Sequence, residues 1–527
     1  METSHAMPFS LSSPYQAALP GDRSGNLASR PTPGVAWASA APTPVKAPRA
    51  LAVSPHVAAL LGVDLSSLGS QEVLEMLSGN RVWPGSEPFA MAYGGHQFGG
   101  WAGQLGDGRA IVLGTHTSAR GDRHELQLKG AGRTAYSRRG DGRAVLRSSL
   151  REFACSEAMH FLGVPTTRAL SLVLTGDQVM RDMFYDGNAA YEPGAIVCRV
   201  APSFVRFGHF ELPRAVGDVE LLRTLVDHVI DTHYPAIASR YAGEEKICAF
   251  FHEVAERTAR LVVHWMRVGF VHGVLNTDNM SILGLTLDYG PYGFVEDFDA
   301  AFTPNTTDRE SRRYCYGAQP HIGSWNVERL AVALQPLVTS PKPLLEGIDR
   351  FANVYDAEAM RMLASKFGFD EHRGDGDTAL VSEAFDWLKR LELDFTIFFR
   401  RLASLDEKAP SVEAVEAAAY KPDLLHAERE GFAAWLERYA ARLRENREDR
   451  TAVRATMNAT NPRIVFRNYL AQEAIDDVMQ GRTAKLDALM HALERPYDDG
   501  PAQAAFDALR PEWARVRAGC SMLSCSS

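Results

Sequence analysis

The sequence predicts an α+β fold, a β-rich N-terminal half followed by a mostly helical C-terminal half. Three observations predict it. Residues 109–202 read as strand, strand, helix, strand, strand. From residue 246 onward, apolar side chains recur at helical spacing. At 527 residues, 46% of them hydrophobic, the chain can bury a core that spans two or three lobes.

The elements follow in order. Residues 1–50 are rich in Pro, Ala, Ser and Gly and end in "APTPVKAPRA", which predicts an extended lead-in. Residues 51–80 pattern as helix with short turns. The Gly-dense run "MAYGGHQFGGWAGQLGDGRAIVLG" closes in a strand, "RAIVLG". In "RHELQLKGAG", Leu126 and Leu128 alternate with Gln127 and Lys129, the pattern of a half-buried strand with Lys129 near its end. A polar loop, "GRTAYSRRGDGRAV", comes next. Leu150, Phe153, Ala154, Ala158, Phe161 and Leu162 then fall at helical spacing, with Ser148 or Ser149 to cap the helix and Gly163 and Pro165 to stop it. "RALSLVLTG" and "GAIVCRVAPS" are the last two strands.

This is the element order of a protein-kinase N-lobe, so the fold class expected is a protein-kinase-like bilobal one. Residues 51–215 form the expected N-lobe, 216–345 the C-lobe, and 346–527 a helical extension with a Cys-containing tail. In the C-lobe, Ile247, Phe250, Phe251, Val254, Leu261, Val262 and Trp265 line one side of a helix that stops at Gly269. No internal repeat is visible.

The formal net charge is -9 and no basic domain stands out, which argues against nucleic acid as a partner. No run of 18 apolar residues occurs, so no membrane span is expected. The N-terminus lacks the basic and apolar regions of a secretory signal. Cys155, Cys198, Cys248, Cys315, Cys520 and Cys525 are scattered without CxxC spacing. That pattern argues against a zinc knot and suits a reducing compartment, so a cytoplasmic location is expected. Cys525 sits in the small polar tail "GCSMLSCSS", where an accessible thiol suits a redox role; an incidental surface cysteine is the plainer reading. The cluster Arg138, Arg139, Arg143, Arg147 and Arg151 can bind phosphate or form a solvated face, and clustering alone favours the solvated face.

The chemistry lies in "HGVLNTDNMSIL", residues 272–283, which follows the kinase catalytic loop H-R-D-x-x-x-x-N. His272 and Asn279 fit, but Val274 stands where the catalytic Asp belongs. Asp288 opens "DYGPYGF", similar to the kinase D-F-G. An amide oxygen and a carboxylate, Asn279 and Asp288, suit Mg²⁺, which takes hard oxygen ligands. Lys129 on a strand and Glu152 on the next helix match the pair that holds the phosphate-binding lysine of kinases. Gly103, Gly106 and Gly108 in "GQLGDGR" let backbone N–H groups approach phosphate, and Arg109 adds a fork of donors. Arg199 and Arg206 flank "VAPSFV" and meet on one face if that segment turns.

Val274 cannot accept a proton; Asp278 can. With the nucleotide reversed in its groove, a hydroxyl activated by Asp278 attacks the α-phosphate and AMP is transferred. An ATP-binding pseudokinase scaffold without chemistry and an unusual protein kinase are the other readings.

The segments "YGGHQFGGWAGQLGDGRA", "ELQLKGAGRTAYSRRGDGRAVLRSSLREF", "HGVLNTDNMSILGLTLDYGPYGF" and "NPRIVFRNYLAQEAI" resemble the selenoprotein O (SelO) family, and the resemblance runs from about residue 40 to the end. It implies a pseudokinase fold that binds ATP in flipped orientation. It also implies AMP transfer to Ser, Thr or Tyr hydroxyls of proteins, with Mg²⁺ or Mn²⁺. By motif match, Gly106, Gly108, Arg109, Lys129, Asp141, Gly142, Arg199, Arg206 and Asp288 contact the nucleotide. Asn279 and Asp288 hold metal, Asp278 accepts the proton, and Glu152 pairs with Lys129. The resemblance suggests redox-handling proteins as acceptors. It also implies a redox residue near the end, here Cys525, paired with a cysteine after the D-Y-G. The place for that partner, in "AAFTPNTT", holds Pro304, with Cys315 and Cys520 as alternatives.

Overall fold

The computed structural model describes residues 8–184, 186–520 and 522–524. It is a mixed α+β structure, with a ten-stranded sheet in the N-terminal half and helices through the rest. The central run of the sheet is antiparallel throughout. Its spatial order is Phe89–Met91, Ala110–Thr117, Arg123–Lys129, Ala190–Ala201, Arg168–Arg181 and Arg49–Val53.

Both faces of the sheet are covered. On one, Ile111, Leu126, Leu128 and Ile196 share a core with Leu61 and Met76 of the short helices Pro55–Leu61 and Gln71–Leu77. On the other, Leu172, Ala195 and Val197 share a core with Leu150, Phe153 and Ala158 of the helix Leu146–Phe161. The strand Arg123–Lys129 is therefore not half-buried as expected, because Gln127 is fully buried too. Register sets Gln127 opposite Arg199 and Lys129 opposite Val197. Strand alternation then puts Gln127, Lys129 and Arg199 on one face, directed into the protein.

The helix after the polar loop begins at Leu146 rather than at Ser148 or Ser149, and no side chain caps it. The preceding pair Ala144–Val145 is held against Ala190–Ala201, and the helix starts where that pairing ends. Residues 8–50, expected as an extended lead-in, contribute short strands to the sheet: Leu11–Ser12 pairs with Ala110–Thr117, Gly21–Asp22 with Trp37–Ser39, and Trp37 is buried. Strands of two or three residues carry too little periodicity to be read from a Pro- and Ala-rich sequence.

All seven residues expected on the buried side of the helix Gly243–Val268 are buried, and Gly269 ends it at φ 73°. The C-terminal helices enclose a second core around Phe367, Phe395, Phe399, Trp435 and Tyr439. Of the arginine cluster, Arg138 and Arg139 are exposed, but Arg147 and Arg151 are not on a solvated face. Arg147 grips Glu192 with Nε at 3.1 Å and Nη2 at 2.9 Å. Arg151 donates to Asn468 Oδ1 at 3.0 Å and to the Tyr292 carbonyl at 2.9 Å. No helix among the described residues is long and apolar enough to cross a membrane.

Candidate active site

The strands Phe270–Val271 and Gly293–Phe294 pair and frame the loop between them. His272 is buried; its N–H donates to Gln319 Oε1 and its Nε2 meets the Leu287 carbonyl, both at 3.0 Å. Val274 is buried and brings no proton acceptor in its side chain. A short turn, Thr277–Asn279, presents Asp278. Gln97 Nε2 donates to Asp278 Oδ2 at 3.0 Å, while Oδ1 has no hydrogen-bond partner among the described residues. Burial pushes the Asp278 carboxyl up to about 6, against the hydrogen bond from Gln97 and the nearby charge of Arg206. Asn279 Nδ2 donates to the Val274 carbonyl at 2.9 Å. Met280 then bridges to Thr286, closing the hairpin that delivers Asp288. Asp288 has φ 61°, a conformation uncommon outside glycine.

Asp288 is the hub. Lys129 Nζ lies 3.1 Å from its Oδ1, and the guanidinium groups of Arg199 and Arg206 both pair with its carboxylate. Glu152 pairs with Lys129 at 2.7 Å and with Arg199 at 3.1 Å. The expected Lys129–Glu152 pair is thus present, and Arg199 and Arg206 do converge. Burial acts to raise the Asp288 carboxyl, but Arg206, Lys129 and Arg199 together hold it well below the usual carboxylate range. Arg206 also donates to the Asp278 carbonyl at 2.8 Å, so one guanidinium ties the two aspartates together.

The other predicted residues lie on the adjoining loops and strands. Gly106 and Gly108 pack against Tyr136 of the polar loop, with no room there for a side chain. Arg109 directly precedes the strand Ala110–Thr117, and its guanidinium has no ion-pair partner among the described residues. Its carbonyl accepts from Gly130 N at 2.7 Å, which places it beside the end of the Lys129 strand. Asp141 is the outlier: it is exposed and pairs with Arg181 at 2.7 Å. Gly142 returns the loop toward Lys129 at φ 72°, with the Gly132 carbonyl only 2.1 Å from where a Cβ would stand, so only glycine fits.

Sequence reasoning missed four participants. Asp107, between the two glycines, is buried and lies 3.6 Å from Arg206; Gln127 Nε2 donates to it at 3.2 Å. Burial pushes its carboxyl up, while Arg206 and Arg199 oppose that shift. Gln127 also accepts from Arg199, and the Arg206 guanidinium sits 4.8 Å over the Tyr93 ring. The signal for Gln127 was its place on the same strand face as Lys129. The fourth is the hairpin His96–Gln97 with Gly100–Trp101, which carries Gln97 onto Asp278.

The chain just before Cys525 lies on the segment that contains Pro304. Leu523 N donates to the Pro304 carbonyl at 3.0 Å, and Thr306 N to the Leu523 carbonyl at 2.8 Å. Cys525 itself lies outside the described residues. Cys315 and Cys520 are both free, and burial pushes the Cys520 thiol up to about 11.

No group of three or more His, Cys, Asp or Glu side chains converges as a metal cage among the described residues. A Mg²⁺ that keeps waters and phosphate oxygens needs only one or two such donors from protein. The ionised Asp288 and the Asn279 side-chain oxygen, which accepts no hydrogen bond among the described residues, fit that demand.

The family model for protein adenylyltransferase SelO matches residues 36–494. The chain belongs to the SelO family. Relatives agree with this along the whole length. A protein nucleotidyltransferase YdiU of Aromatoleum aromaticum is 54% identical over 513 residues, covering 97% of this chain and 98% of the relative. A protein of the same name from an Azoarcus species is 54% identical over 520 residues, covering 99% and 100%. Another, from Xanthomonas campestris pv. campestris, is 54% identical over 514 residues, covering 97% and 98%. This SelO-family chain is accordingly an enzyme, a nucleotidyltransferase of the adenylyltransferase type.

Proposed function

We propose that this SelO-family enzyme transfers AMP from ATP to Ser, Thr or Tyr hydroxyls of protein substrates and releases pyrophosphate. In this reading the sheet half and the helical half are the two lobes of a protein-kinase-like fold, with the nucleotide between them. The observation that carries the reading is the charge at the inner end of the site. Arg199 and Arg206 are each only 2% exposed there, and Lys129 only 11%. A purine needs a flat apolar slot, whereas a triphosphate tail needs guanidinium forks and an ammonium. ATP therefore enters with its terminal phosphates inward, on Lys129, Arg199 and Arg206. Arg109 and the backbone at Gly106 and Gly108 flank the phosphates, and the nucleoside end points out toward Asp141 and Gly142. This sets the α-phosphorus beside Asp278.

Asp278 takes the proton of the incoming hydroxyl on Oδ1, the oxygen left without a partner. The hydroxyl oxygen attacks the α-phosphorus, the bond to the bridging oxygen breaks, and pyrophosphate leaves. Arg199 and Arg206 receive the charge that develops on that leaving group. As these cations turn from Asp288 to phosphate, the Asp288 carboxylate is released; together with Asn279 Oδ1 it would hold Mg²⁺ or Mn²⁺, and the ion would neutralise triphosphate charge. Redox-handling proteins are the proposed acceptors, on the family resemblance.

The test is incubation with ATP labelled at the α or the γ position. Label from α-ATP on the enzyme or on a partner, with none from γ-ATP, supports AMP transfer. Label from γ-ATP would make the protein a kinase, and ATP binding with neither label would make it a scaffold.

A further inference from the structure

We propose that the exposed face of the hairpin His96–Trp101, together with Arg313 and Trp325, seats the acceptor protein and selects hydroxyls flanked by acidic residues. This rests on the AMP-transfer reading and adds the substrate class to it.

Position comes first. The hairpin is pinned to the Asp278 loop at three consecutive residues. His96 N donates to Thr277 Oγ1 at 2.7 Å, Gln97 Nε2 to Asp278 Oδ2 at 3.0 Å, and Phe98 N to Asn276 Oδ1 at 3.2 Å. Phe98 N also donates to Tyr314 OH at 2.8 Å, which links the hairpin to the segment carrying Arg313. Gly95 lies so close that a Cβ would stand 3.0 Å from Asp278 Oδ1. Whatever rests on this hairpin is held in fixed relation to Asp278.

The hairpin tip is built against local preference. Phe98 and Gly99 occupy the turn with φ 51° and 85°. Two-residue turns of this kind favour Asn or Asp before Gly, and a bulky residue at positive φ is an outlier. Such strain persists where the side chain has a task. Here Phe98 is 40% exposed, and Trp101 on the returning strand is 42% exposed. The two rings offer rigid apolar contact area at low entropic cost, as anchor residues in protein interfaces do.

Charge complements them. The Arg313 guanidinium lies 4.7 Å from the Trp325 ring, and it is the nearest group to a Cβ built on Gly99, at 3.4 Å. It lies against Tyr314 and Trp325 with Nε and Nη2 covered, it is only half-buried as a residue, and no carboxylate pairs with it among the described residues. The His96 ring meets Trp101 at a tilt, 5.2 Å away, and Trp325 edge-on at 5.6 Å, joining the two halves of the surface. A part-covered guanidinium without a carboxylate, next to two exposed aromatic rings, matches an acidic side chain on a partner. On a chain of net charge -9 this is a local exception rather than a general field.

The experiment uses full-length enzyme, α-labelled ATP and synthetic peptides. Each peptide carries one Ser, Thr or Tyr flanked by Asp/Glu, by Lys/Arg or by Ala. AMP transfer should favour acidic flanks about tenfold in kcat/KM. Arg313→Glu should reverse the preference toward basic flanks, an outcome that loss of structure cannot produce. Trp101→Ala should raise the peptide KM and leave the KM for ATP unchanged. AMP transfer without flank preference, or a preference that Arg313→Glu leaves intact, would overturn this surface while leaving the AMP-transfer reading in place. Absence of label on every peptide and on the enzyme itself would overturn both.

Discussion

Arg206 and Asp288, 82 residues apart in the chain, form an ion pair in which Arg206 is buried and Asp288 half-buried. The same arginine reaches the Asp278 carbonyl at 2.8 Å. One side chain therefore joins the cation cluster to the residue assigned to proton transfer.

Arg206 should act on the outer phosphates and not on the nucleoside. Arg206→Met should weaken ATP binding by about 10–100-fold, since a charged hydrogen bond at a buried site contributes about 1.5–3 kcal/mol. It should leave AMP binding within about twofold. Calorimetric titration of both nucleotides measures this. Equal losses for ATP and AMP would place Arg206 elsewhere on the nucleotide.

Removal of Asp288 should have two separable effects. Asp288→Asn leaves Lys129, Arg199 and Arg206 facing only Glu152 and Asp107. Uncompensated buried charge costs about 3–5 kcal/mol, so the ligand-free variant should melt at lower temperature. ATP should restore much of the loss, because phosphate replaces the missing negative charge. AMP transfer should be abolished even when stability is recovered. Thermal melting with and without ATP, beside a transfer assay, checks both effects.

Asp278→Asn should separate chemistry from binding. Loss of a general base costs about 10²–10⁴-fold in rate. The amide keeps the shape of the side chain and can still contact Gln97, so ATP affinity should stay within about twofold. A matched loss of both would mean that Asp278 positions the nucleotide instead.

Much of this arrangement was legible in the sequence. The Lys129–Glu152 pair follows from a strand and the next helix in kinase order, and Arg199 and Arg206 meet because the segment between them turns, the condition their spacing leaves open. Asp107 was hidden because a carboxylate between two glycines reads as a turn former; only tertiary packing buries it against Arg206. Gln127 reads as the solvent side of a strand because alternation cannot distinguish water from a polar interior. Arg147 and Arg151 looked like surface charge because their partners, Glu192 and Asn468, lie 45 and 317 residues away.

Stability should carry a pH signature from Glu125. Burial pushes this carboxyl from 4.5 up to about 8. Phe204 N donates to it at 3.2 Å, which opposes the shift without cancelling it. The folded state then binds this proton more tightly than the unfolded chain does. Its contribution is fully present below pH 4.5 and is lost as pH rises through 8. Glu125→Gln, which does not titrate, should match the parent protein near pH 4. It should be more stable by about 4–5 kcal/mol at pH 8.5. Urea denaturation at the two pH values measures the difference, and parallel pH dependence in the two proteins would contradict the assignment.

The direct test of the reversed nucleotide is a crystal structure with a non-hydrolysable ATP analogue and Mg²⁺. The terminal phosphate should lie against Arg199 and Arg206, with the α-phosphorus facing Asp278. A terminal phosphate pointing at Asp278, with the base seated beside Arg206, would contradict the account.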